Sequence, residues 1–107
     1  MIHNSISHTL RVWLFFRRSI MESRIAVISI IVENTDSVEK LNGILHEYGN
    51  FMIGRFGLPY RQRGINIICA VMEAPQDVIS AMSGKIGRLK GVTAKATYSN
   101  IKTTLEE

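Results

Sequence analysis

Two segments of this 107-residue chain are apolar on both faces, and they constrain its architecture more than anything else in it. Residues 24–33 (RIAVISIIVE) set Ile25, Val27 and Ile31 on one side of an extended chain and Ala26, Ile28, Ile30 and Val32 on the other. Residues 65–73 (INIICAVME) repeat the arrangement, with Ile65, Ile67, Cys69 and Val71 against Ile68, Ala70 and Met72. Length and β-branched content mark both as strands. A strand that is apolar on both sides is covered on both sides, so these two are predicted to be the central strands of a sheet.

The segments between them complete the order. Asp36 is a good N-cap and Glu39 completes a capping box. The following helix places Val38, Leu41, Leu45 and Tyr48 on one stripe, and Gly49 is expected to end it in the left-handed conformation. Residues 51–60 read as a strand with Gly54 and Gly57 inside it, and Pro59, which cannot donate to a ladder, puts that strand at a sheet edge. Pro75 suits the first turn of a second helix, whose stripe is Val78, Met82, Ile86 and Leu89. Gly84 and Gly87 in that helix predict close packing, and Gly91 closes it. Val92, Ala94, Ala96 and Tyr98 then alternate with Thr93, Lys95, Thr97 and Ser99, the pattern of a half-buried strand. The order β-α-β-β-α-β predicts an α+β, ferredoxin-like split βαβ, with two helices on one face of a four-stranded antiparallel sheet.

Two helices leave the other sheet face open, and an open apolar face of that size usually marks an interface. A homo-oligomer, at least a dimer, is therefore expected. Its interface is assigned to Ile28, Ile30, Gly54, Ile68 and Ala70.

The formal charge of +4 has to be located before it is used. Residues 1–20 contain Arg11, Arg17 and Arg18 and no acid, whereas residues 21–107 hold ten basic and nine acidic side chains. A nearly neutral body argues against a broad nucleic-acid surface. The first twenty residues are expected to be a basic, apolar leader, disordered or an upstream extension of the reading frame with Met21 as the start. Its apolar run, Val12 to Phe16, is far below the ~20 residues that span a bilayer. Residues 21–103 are read as one regulatory domain and 104–107 as a frayed tail. The single cysteine, Cys69, rules out an internal disulfide and fits a reducing cytoplasm.

Catalytic and metal chemistry find no residue set. His46 stands alone on the first helix, and Cys69 reads as a small core residue. His46, Cys69, Glu47 and Glu73 lack metal-ligand spacing, so no metal or cofactor is expected. The central strands carry no aromatics on which RNA bases could stack. The first loop, 33–36 (ENTD), lacks the glycines and arginine of an acylphosphatase loop. The chain is not expected to be an enzyme. What remains is residues 54–64 (GRFGLPYRQRG). There Gly54 and Gly57 permit close approach, Arg55 between them can grip a carboxylate or phosphate, and Phe56 and Tyr60 share one face as an apolar wall.

Residues 29–33 (SIIVE), 37–40 (SVEK), 44–49 (ILHEYG), 53–60 (IGRFGLPY), 63–65 (RGI) and 84–92 (GKIGRLKGV) together resemble the ACT-like family of iron-only hydrogenase system regulators. That family's fold is similar to the C-terminal domain of the CopG-type nickel-responsive repressors. The resemblance covers about Met21 to Thr103. It implies a cytoplasmic, oligomeric sensor or adaptor associated with hydrogenase assembly in anaerobes. The ribbon-helix-helix segment and the His/Cys nickel cluster of those repressors have no counterpart here, so direct DNA binding and nickel sensing are not expected. ACT-like domains commonly bind a ligand between subunits, which implies a site formed by Asn34, Thr35 and Asp36 with Arg55, Phe56, Gly57 and Tyr60. The alternative is an adaptor that takes no ligand and docks a hydrogenase maturation factor through residues 54–64.

Overall fold

The computed structural model describes residues 9–12, which form one helical turn, and residues 23–101. The expectations for the rest of the leader and for residues 104–107 fall outside the described residues. The chain forms β1 (Ser23–Val32), a 3₁₀ turn (Thr35–Ser37), α1 (Val38–Glu47), a second 3₁₀ turn (Gly49–Phe51), β2 (Met52–Tyr60), β3 (Ile65–Pro75), α2 (Gln76–Gly87) and β4 (Val92–Tyr98). The four strands are antiparallel in the order β2-β3-β1-β4. The ferredoxin-like architecture and the edge position of β2 are those the apolar pattern requires. Pro59 stands opposite Asn66 on that edge, and Ile53 is an extra residue, since Met52 pairs with Met72 and Gly54 already pairs with Val71.

The helices cover one sheet face. Ala26, Ile28, Ile30 and Val32 of β1 and Ala70 and Met72 of β3 are wholly buried there, against Leu41, Leu45, Ile79, Met82 and Ile86. Each large apolar side chain buried this way stabilises the fold by roughly 1.5–3 kcal/mol. This settles which row of each central strand faces in, and it corrects the interface assignment. Ile28, Ile30 and Ala70 lie in the chain's own core, and Ile68 packs against that core, so none of them belongs to the open face. Gly54 alone of the assigned set lies there.

The open face follows from the register. One row across the sheet is Phe56, Cys69, Ser29 and Lys95. The rows on either side are Gly54, Val71, Val27 and Thr97, and Leu58, Ile67, Ile31 and Thr93. Cys69 is thus a half-buried member of the open face rather than a core residue.

Several local expectations change for identifiable reasons. Asp36 does not cap α1. It lies inside the 3₁₀ turn, its amide donates to the Asn34 side chain, and Ser37 occupies the N-cap position. Gly49 opens the second 3₁₀ turn without a positive φ; only Gly64 and Gly91 have one among the described residues. In α2 the fully buried side chain of the first turn is Ile79, while Val78 is half-buried. Beyond the chain neighbours and the helix's own backbone, no atom lies within 4 Å of where a Cβ would sit on Gly84 or Gly87, so these glycines do not mark close packing.

A cationic cleft between the first loop and the turn before β4

β1 and β4 pair with Val32 opposite Val92, so the chain leaving β1 emerges beside the chain entering β4. The two are tied by backbone and side chain. The Glu33 amide donates to the Gly91 carbonyl at 2.7 Å. The Ser37 hydroxyl, with only 6% of the residue exposed, donates to the Lys90 carbonyl at 2.7 Å. Asn34 shapes the loop from within. Its side-chain oxygen accepts from the Asp36 amide at 2.9 Å, and its carbonyl accepts from the Ser37 amide at 3.0 Å. Gly91, at φ 70°, lies so close that a Cβ there would come within 2.6 Å of the Asn34 Cβ.

Between these segments is a solvent-open cleft of about 370 Å³, lined by Asn34, Asp36, Ser37, Lys40, Arg88, Leu89 and Lys90. Three of these side chains are cationic and one is acidic. Lys40, Arg88 and Lys90 form no ion pair with any described residue; the salt bridge among the described residues joins Lys85 to Glu47. The N-terminus of α1, with its partial positive charge, opens beside them. The cleft therefore has a net attraction for a small anion, with Asp36 available to a cationic group on the same molecule.

The predicted site residues divide between this place and another. Asn34, Thr35 and Asp36 are in the first loop, and Asn34 and Asp36 line the cleft. Arg55 lies on the helix side of β2, opposite Ala70, and is exposed. Gly57 shares that side, with Ile68 Cγ1 at 3.8 Å from where its Cβ would be. Phe56 and Tyr60 are on the open face together with Leu58, which the sequence reading passed over. β3 separates β2 from β1, a displacement of about 9–10 Å at ordinary strand spacing. One chain therefore does not bring Arg55 into the cleft beside the first loop.

Ser37, Lys40, Arg88, Leu89 and Lys90 are cleft residues that no local sequence pattern marks as a site. The signal was present in the topology. In a split βαβ, the loop after the first strand and the turn before the last meet at one sheet end, and that turn reads Arg88-Leu89-Lys90-Gly91. Among the described residues no group of three potential metal ligands converges, and no helix is long and apolar enough to cross a membrane.

Residues 24–96 match a family model described as TM1266-like, iron-only hydrogenase system regulator. A solved structure of the uncharacterized protein TM1266 from Thermotoga maritima is similar, with 31% identity and a TM-score of 0.69. The match covers 72% of this chain and 98% of that one. No curated protein matches. The family description names a regulator and no reaction.

Proposed function

The chain belongs to the TM1266-like family of iron-only hydrogenase system regulators, and on that premise we propose that it is a ligand-responsive, non-catalytic regulatory protein of that system. It works in the cytoplasm as a homo-oligomer, and its effector is a small anionic metabolite held in the cleft between the first loop and the turn before β4. One observation carries the reading: Lys40, Arg88 and Lys90 line a formed cleft in which Asp36 is the only acid, and none of the three is ion-paired with a described residue. Uncompensated cations around a concavity are better suited to a ligand than to the fold, because exposed charges contribute little to stability. Effector binding would be read through the Ser37–Lys90 and Glu33–Gly91 hydrogen bonds, which join α1 to β4.

A thermal-shift screen of phosphorylated and carboxylate metabolites tests this. A ligand present at about 100 times its Kd adds about 2.7 kcal/mol of stability, which is a rise of several degrees in a domain of this size. The rise should disappear in Lys40→Ala and Lys90→Ala; the second variant keeps the carbonyl that Ser37 uses. No stabilisation by any anion, or stabilisation indifferent to both changes, would remove the ligand reading. The adaptor reading would replace it if a hydrogenase maturation factor were then retained by the protein and lost on Tyr60→Ala or Arg61→Ala. The exposed row Phe56, Leu58 and Tyr60 on β2 is the feature that supports that second reading.

A further inference from the structure

The open face of the sheet has no covering among the described residues, yet it is built like half of an interior. Along β2, Phe56 is 63% exposed, Leu58 55% and Tyr60 44%; Ile31 on β1 is 43% exposed. Ile67 and Val71 on β3 and Val27 on β1 fill the space between them. Apart from Ser29 beside Cys69, the polar side chains are at the margins. Thr93, Lys95 and Thr97 run along β4, Glu73 pairs with Ile25 at one end, and Glu33 follows Val32 at the other. The apolar region is thus centred on β3, at Cys69, with Phe56 and Ser29 to its sides and Ile67 and Val71 above and below it.

We propose that this face docks the same face of a second copy of the chain, closing a two-fold dimer in which the two sheets stack and Cys69 is buried at the centre. Three features select a second copy. The first is area. At ~4.8 Å between strands and ~3.3 Å per residue the face measures roughly 19 by 25 Å, so two of them remove on the order of 1,000 Å² from water, the range in which specific interfaces begin. The second is charge. The margin carries both signs, Lys95 against Glu33 and Glu73, as a self-complementary surface requires; a face made for a strongly charged partner would carry one. The third is layering. Stacked sheets pack about 10 Å apart with their apolar side chains interleaved, and Phe56 and Leu58 are exposed, large apolar side chains of the kind that interleave. The cationic cleft lies at the end of the helix layer, so this assignment is independent of the ligand reading.

The single cysteine makes the test direct, because every thiol signal comes from the centre of the proposed contact. The full chain should sediment at twice the 12.1 kDa of one chain, with Cys69 reacting with a maleimide at least tenfold more slowly than in urea. Leu58→Asp should sediment as a monomer, and its Cys69 should react freely. Ala81→Asp, on the exposed side of α2, should leave both readings unchanged. Circular dichroism of Leu58→Asp separates loss of docking from loss of fold, and Phe56→Ser provides a second, milder disruption. A monomeric full chain overturns the proposal. So does an oligomer in which Cys69 reacts freely or Leu58→Asp leaves the mass unchanged. A monomer with a protected Cys69 that becomes reactive on deletion of residues 1–20 overturns it in favour of the chain's own N-terminal segment as the cover.

Discussion

Gly64 and Gly91 share a positive φ, 66° and 70°, but their surroundings differ. Around Gly64 a Cβ would meet nothing within 4 Å, whereas at Gly91 it would meet Asn34 Cβ at 2.6 Å and the Asn34 amide nitrogen at 3.0 Å. Gly64→Ala should therefore cost only the left-handed strain, about 1–2 kcal/mol. Gly91→Ala adds a backbone collision to that strain and should exceed it by at least about 1 kcal/mol; urea denaturation of the two variants measures the difference. Lys85 offers a second test at this scale. Its ammonium donates to Glu47 Oε2 at 2.9 Å and lies 5.1 Å from the Tyr48 ring centroid. The hydrogen bond to the Glu47 carboxylate, with Tyr48 alongside, raises its pKa above the usual lysine value. A raised folded pKa means the contribution is whole at neutral pH and is lost as pH climbs through the alkaline lysine range. Wild type should lose more stability than Lys85→Met between pH 9 and 11; equal losses would show that the pair contributes nothing.

At the scale of elements, the phase of α2 shows how far periodicity can be read. Val78, Met82, Ile86 and Leu89 form a plausible stripe, and so do Ile79, Met82 and Ile86. Propensity cannot choose between Val78 and Ile79, because the choice depends on where β3 delivers the chain at Pro75. The fold buries Ile79 completely and leaves Val78 at the margin. Ile79→Ala should cost about 2–5 kcal/mol and Val78→Ala clearly less, with calorimetry as the readout. The start of α1 departs from the local pattern for a related reason. The pattern Asp36-x-x-Glu39 satisfies the capping-box rule, but Asn34 forms a tighter local turn that moves the helix start to Ser37. Ser37 is then used for a contact 53 residues away, which no local pattern reports. Removing it in Ser37→Ala takes the side-chain donor from the Lys90 carbonyl in a part-buried contact, at about 1 kcal/mol, and should weaken any anion bound in the cleft alongside.

At the scale of the whole molecule, strand order, the edge position of β2 and the existence of an open face were legible, because two-faced apolar strands in a four-stranded sheet admit few arrangements. Which row of each central strand faces the helices was not. Ile25, Val27 and Ile31 are as apolar as Ala26, Ile28 and Ile30, so composition is silent and only the helix docking decides. The candidate site was legible by half. The loop at Asn34–Asp36 is visible as a loop, but its cations come from the far end of the chain. A site assembled from Lys40, Arg88 and Lys90 should bind its anion electrostatically. Raising salt from about 0.05 M to 0.5 M shortens the screening length about threefold and should weaken the affinity several-fold in titration calorimetry. Affinity that does not change with salt would point to contacts other than these cations.

The outer margin of β2 has a consequence for solubility. A bare strand edge recruits further strands, and that kind of growth has no natural end. Here the edge is broken at both ends, by the extra residue at Ile53 and by Pro59, which has no amide to donate, and Arg55 projects beside it. Ribbon growth by strand addition is blocked even with Phe56 and Leu58 on the adjoining face. Concentrated solutions should stay clear and free of amyloid-dye fluorescence. Restoring an amide and flattening the edge with Pro59→Val should be the change that makes them gel.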